Sequence, residues 1–99
     1  MRRGTTPTHK FTTNVSLVEA EEIYVTYKQG SIILTKTKDD CVVTPDALML
    51  KLTQEDTLMF KTEGCKLKIQ IRAKFLDGTA IASNVIEASV ERILKNGVI

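Results

Sequence analysis

The residues able to do chemistry in this 99-residue chain are few and scattered. His9 is the single histidine and sits among Arg2, Arg3, Thr5, Thr6, Pro7, Thr8 and Lys10, with no nucleophile beside it, so it is expected to be solvated and not a general base. Cys41 and Cys65 stand 24 positions apart, with no CxxC or HxxxH spacing, whereas a zinc site needs about four converging ligands. Two reduced, partly buried thiols are expected, since a cytosolic compartment keeps thiols reduced and free Cys packs as a small hydrophobe. Carboxylates cluster at Glu19-Glu21-Glu22, Asp39-Asp40 and Glu55-Asp56. A pair of carboxylates can exchange protons or bind calcium, but these fall in segments that read as surface connections, where solvated charge is the expectation. The chain has no glycine-rich phosphate loop, nucleophile elbow or dinucleotide fingerprint. Catalysis, a bound metal and a cofactor are therefore not expected.

Cationic residues give a clearer pattern. Lys66, Lys68, Arg72 and Lys74 alternate with Leu67, Ile69, Ile71, Ala73 and Phe75, and a period of two puts the sets on opposite faces of a strand. The stripe Lys66, Lys68, Arg72, Lys74 is a candidate contact for an acidic polymer or glycan. Glu87 and Glu91 on the next strand are expected to pair with part of it, and lysine also protects exposed sheets from aggregation.

Composition bounds the rest. Ninety-nine residues with 42% hydrophobic content suit one domain. Fourteen Lys and Arg against 12 Asp and Glu leave too small an excess to drive phosphate neutralisation, so no nucleic-acid partner is expected. Phe11, Tyr24, Tyr27, Phe60 and Phe75 are the only aromatic residues, which leaves little for base stacking. The first residues lack the apolar run of a secretory signal, and the longest apolar runs have four residues against the ~20 of a membrane span. Synthesis in the cytosol with no membrane association is the expectation.

Residues 1–10 carry almost no apolar side chain and read as a flexible basic arm, leaving 11–99 as a single β domain. Phe11–Val15 is predicted to open the first strand. Ile23–Lys28 and Ile32–Thr37 form a hairpin about Gln29-Gly30, with Tyr27 facing Ile32 and Val25 facing Leu34. Cys41–Thr44 and Ala47–Leu52 flank a Pro45-Asp46 turn, with Leu48, Leu50 and Leu52 inward. Thr53-Gln54-Glu55-Asp56 has a helix-start signature, expected to yield one turn crossing between sheets before Gly64. The hairpin about Leu76-Asp77-Gly78 is the firmest element. With an Asp77-Gly78 loop, Phe75 faces Ala80, Ala73 faces Ala82, Ile69 faces Ile86, Leu67 faces Ala88 and Lys68 faces Glu87. That register turns Ile81 and Val85 outward and predicts either a bulge near Ser83-Asn84 or a covered outer face. With Met49 and Ile33, these two are candidates for an apolar contact patch. Close turn spacing without sustained helical period predicts an all-β, antiparallel, immunoglobulin-like β-sandwich of six to eight strands; a small barrel is the competing arrangement.

Leu52-Thr53-Gln54-Glu55-Asp56-Thr57-Leu58, Phe60, Gly64, Leu67-Lys68-Ile69-Gln70-Ile71-Arg72 and Asp77-Gly78-Thr79 together resemble a pattern in immunoglobulin-like modules of phage baseplate and tail proteins. With the opening Met1-Arg2-Arg3-Gly4-Thr5-Thr6-Pro7-Thr8 and the segment Glu91–Ile99, the chain is similar to small proteins encoded among prophage structural genes of Gram-positive bacteria. The resemblance implies a non-catalytic structural component of a phage particle, synthesised in the host cytoplasm and incorporated in the virion. Its partners would be other virion proteins and further copies of itself. It departs from the baseplate modules in carrying no following domain, which implies a standalone role or attachment by another chain. The contact residues expected under this reading are Arg2, Arg3, Lys10 and Phe11 of the arm with outward Ile81 and Val85. A carbohydrate- or acidic-polymer-binding module is the alternative.

Overall fold

A computed structural model describes all residues, Met1–Ile99. Eight strands form, in order, β1 (Thr8–Thr12), β2 (Ala20–Gln29), β3 (Ile32–Thr37), β4 (Cys41–Thr44), β5 (Ala47–Lys51), β6 (Leu67–Phe75), β7 (Ala80–Ala82) and β8 (Ile86–Ala88). One short helix, α1 (Gln54–Leu58), lies between β5 and β6. No helix is long and apolar enough to cross a membrane.

The strands make two antiparallel sheets. A three-stranded sheet has the order β1-β5-β4, and a five-stranded sheet has the order β3-β2-β6-β7, with β8 also on β6. The sheets do not join into a barrel, so the β-sandwich expectation holds. Alternation builds its core: Ile23, Val25 and Tyr27 of β2, Leu67, Ile69, Ile71 and Ala73 of β6, and Leu48, Leu50 and Leu52 around β5 are all buried. Each fully buried aliphatic side chain contributes about 1.5–3 kcal/mol, so these inward rows hold the layers together.

Two hairpins form where expected but with partners other than those predicted. In β2–β3 the loop is Gly30-Ser31, so Tyr27 pairs with Leu34 and Gln29 with Ile32. The slip is two residues, which leaves each side chain on its expected face. Gly30 has φ 59°, at the first loop position, where hairpin twist favours a left-handed residue.

In β6–β7 the loop has three residues. Phe75 N–H donates to Thr79 O (2.8 Å) and Gly78, at φ 89°, donates to Phe75 O (3.0 Å). Ala73 therefore pairs with Ile81 and Lys74 with Ala80, one residue away from the two-residue-loop register. Ile81 consequently faces inward and packs against the core, contrary to the outward position expected of it. Beyond Ser83-Asn84-Val85 the strand re-pairs with Leu67 against Ala88, Lys68 against Glu87 and Ile69 against Ile86, as expected. A bulge near Ser83-Asn84, one of the two arrangements the sequence left open, is what reconciles the two halves. Ser83 Oγ accepts the Ile71 amide (3.0 Å), standing in for the missing ladder carbonyl, and Gln70 Nε2 donates to Ser83 O.

Connections between the sheets are pinned by side chains. Thr53 caps α1: its hydroxyl accepts from Asp56 N (3.1 Å) and Asp56 Oδ2 accepts from Thr53 N (3.0 Å), closing a reciprocal cap. Buried Gln29 fastens the following loop, donating to the carbonyls of Lys61 (2.6 Å) and Cys65 (3.0 Å) and accepting from Lys61 N (2.7 Å).

Residues 1–10 do not form a free arm. Arg3 donates to Phe60 O (2.6 Å) and Leu58 O (3.1 Å), Thr57 Oγ1 donates to Thr5 O, Leu52 N donates to Pro7 O, and Thr8–Lys10 are the first half of β1. Arg3 also donates its amide to Glu91 O. Hydrogen bonds anchor this segment together with Met1, which packs against the core, and Arg3 satisfies carbonyls at and just after the end of α1 that have no helical partner. The first strand starts at Thr8, not Phe11, because that register turns His9 and Phe11 into the sandwich against β5.

Candidate functional site

The three-stranded sheet is too narrow to cover the five-stranded one. Along one side of the sandwich, β1 ends the small sheet and the β7/β8 line ends the large one, each strand bonded on one edge only. Between them lies a groove of about 600 Å³. Its walls are Phe11 and Leu17 on one side and Ile71, Ala73, Ile81 and Ile86 on the other, with Lys10, Thr13, Asn14, Ser83 and Asn84 around it. Ile86 points toward the interior like its partner Ile69, yet is 42% exposed because no strand of the small sheet stands over it. The hydroxyl oxygen of Thr13 is buried beside the groove without a hydrogen-bond partner.

The two edges beside the groove differ. β7 and β8 are three residues each and the bulge at Ser83–Val85 interrupts them, which spoils them as a template for another strand. β1 is an unbroken five-residue strand carrying Lys10 outward. Its free edge is therefore the better place for another strand to pair.

Of the residues singled out in the sequence, Lys10, Phe11 and Ile81 come together at this groove. Arg2 and Arg3 do not: Arg2 Nη1 donates to Arg92 O (2.7 Å), and Arg3 is used within the fold as described. Val85 is 52% exposed in the bulge and lies outside the groove lining. Ile33 is exposed and Met49 half-buried, on outer faces of different sheets. Ile86, Thr13 and Asn84 were missed. Ile86 reads as core by alternation, and only the width of the opposing sheet reveals it at the surface.

The groups with chemical potential are occupied. His9 is not solvated in an arm; it is half-buried in β1, with Nδ1 2.7 Å from the hydroxyl of fully buried Tyr27. Burial, and secondarily the terminal ammonium, lowers its pKa, while burial, with Cys41 and Asp56 nearby, raises that of Tyr27. Both shifts favour the neutral forms. Cys41 lies across Leu50 from His9, donates to Thr37 O (3.3 Å) and is pushed up to about 11 by burial and then by Asp40, which keeps it a thiol. Cys65 is exposed, and both cysteines are free. Burial disfavours the Asp56 carboxylate, but the Thr53 amide, Lys36 ammonium (2.9 Å) and Thr53 hydroxyl outweigh it and lower its pKa. No cluster of His, Cys, Asp and Glu side chains is arranged to hold a metal ion.

The stripe Lys66, Lys68, Arg72 and Lys74 is exposed, on the outer face of the five-stranded sheet, away from the groove. Its one ion pair is between Lys66 and Glu87 at 3.9 Å, with both side chains open to solvent; Glu91 instead meets the terminal ammonium. No protein family, curated protein or solved structure matches this chain.

Proposed function

We propose that this chain is a non-catalytic structural subunit that works by protein–protein contact through the open side of its sandwich, with a second copy as the first partner. The observation that carries this reading is the apolar groove lying beside the unbroken free edge of β1. An edge strand offers unpaired amide and carbonyl groups, and pairing with a neighbouring chain satisfies them while apolar side chains cover Ile81 and Ile86. Joining two copies along β1 is an isologous contact, which closes as a dimer and doubles the narrow three-stranded sheet. The occupied states of His9, Asp56 and Cys41 favour a structural over a catalytic role.

The likeness of Leu52–Leu58, Leu67–Arg72 and Asp77–Thr79 to immunoglobulin-like modules of phage baseplate and tail proteins supports a setting in a phage or prophage particle, among other virion proteins. Light scattering across a micromolar concentration series tests the contact. The wild type is expected to self-associate, and Ile86→Asp is expected to remain monomeric with an unchanged far-ultraviolet spectrum. A monomeric wild type at every concentration, or Ile86→Asp association equal to wild type, rejects the groove as the interface.

A further inference from the structure

The outer face of the five-stranded sheet carries an excess of cations that the groove reading does not use. On β6, Lys68, Arg72 and Lys74 project from this face, with Gln70 between the first two and Lys66 just before the strand. Two strand residues advance about 6.6 Å, so the row runs about 26 Å. β2, next to it, sets Lys28 directly opposite Lys68. Like charges facing each other across a ladder are destabilising. On its other side Lys68 faces Glu87, whose carboxylate is engaged by Lys66. Edge protection does not account for the pair, because β2 and β6 are interior strands of this sheet. Glu22, opposite Lys74, and exposed Glu21 in the bulge beside it are the carboxylates of β2.

We propose that this face binds a linear acidic polysaccharide, lying along β6 with its carboxylate or sulfate groups on the Lys66–Lys74 row and over the Lys28–Lys68 pair. Charge complementarity selects a polyanion, and the line of cations selects a linear one. Tyr24, opposite Arg72 and 42% exposed, offers one ring for a sugar face. A single exposed ring is too few for successive nucleobases, which need a series of stacking platforms, so a polysaccharide is favoured over single-stranded nucleic acid. The surface is separate from the groove, and its test does not depend on self-association.

Titration calorimetry with a size-defined heparin octasaccharide, neutral dextran and a 15-nucleotide oligothymidine, at low and physiological salt, decides the matter. The octasaccharide is expected to bind, weakening with salt, and dextran not to bind. Lys28→Ala/Lys68→Ala is expected to weaken the octasaccharide about tenfold or more, while Lys51→Ala/Lys61→Ala, removing equal charge elsewhere, changes it less than about twofold. Lys28→Ala alone should raise the melting temperature by a few degrees, since it relieves the facing charges. No heparin binding at low salt, equal losses in the two double variants, or tighter binding of oligothymidine each overturns the proposal.

Discussion

His9 and Tyr27 tie the two sheets together through a 2.7 Å hydrogen bond between imidazole Nδ1 and the phenol, the one from β1 and the other from near the end of β2. Phe60 packs near the same phenol ring, at 6.4 Å between centroids. A polar contact thus sits inside an otherwise apolar layer, where burial disfavours the imidazolium.

That burial sets a pH dependence. The folded-state pKa of His9 is lowered, so the unfolded chain binds the proton more readily, and stability is present above about pH 6.5 and lost as pH falls below it. Wild-type melting temperature is expected to decline from pH 7.5 to 5, and His9→Leu to flatten that decline. Equal slopes for the two proteins would refute the assignment. Tyr27→Phe, which leaves the imidazole without this partner, is expected to cost about 1 kcal/mol in urea unfolding at pH 7.5.

Asp56 acts in a different window. Its carboxylate serves the α1 cap and the Lys36 ion pair, its pKa is lowered, and the stability it contributes is present above about pH 4 and lost on further acidification. Asp56→Asn retains an acceptor for Thr53 N–H and should lose less than Asp56→Ala, which is expected to cost about 1–3 kcal/mol at pH 7. Denaturant titrations of both variants check the order; an Asn variant as damaged as the Ala variant would shift the weight from the cap to the ion pair.

Ser83 repairs the interrupted ladder. Ser83→Ala leaves the Ile71 amide without its acceptor and is expected to destabilise by about 1–3 kcal/mol, a fall of at least about 4 °C in melting temperature. Amide exchange at Ile71 should quicken with it. If exchange there stays slow, water or a shifted strand has replaced the hydroxyl, and the bulge does not depend on Ser83.

Much of this fold can be read along the chain because it rests on local regularities. Strict alternation in Leu67–Phe75 assigns one face to the core and the other to cations, and the Thr53 and Asp56 pair announces α1 three residues at a time. The slips arose where a single residue of loop position or loop length mattered. Gly78 supports either a two- or a three-residue loop, and the choice moves Ile81 from one face to the other. Thr8 and Lys10 beside His9 suggest solvation, whereas its ring meets Tyr27 across the sandwich.

By itself, then, the order of residues determined an antiparallel β body, the inward rows of β2, β5 and β6, and the cationic face of β6. Side-chain periodicity and turn chemistry act over a few residues and need no distant partner. Tertiary structure alone decided that the first ten residues lie on the body, that His9 meets Tyr27, and that Ile86 is uncovered beside β1. Each depends on which strands end up opposite one another and how wide each sheet is, and those are set by contacts between residues far apart in the chain.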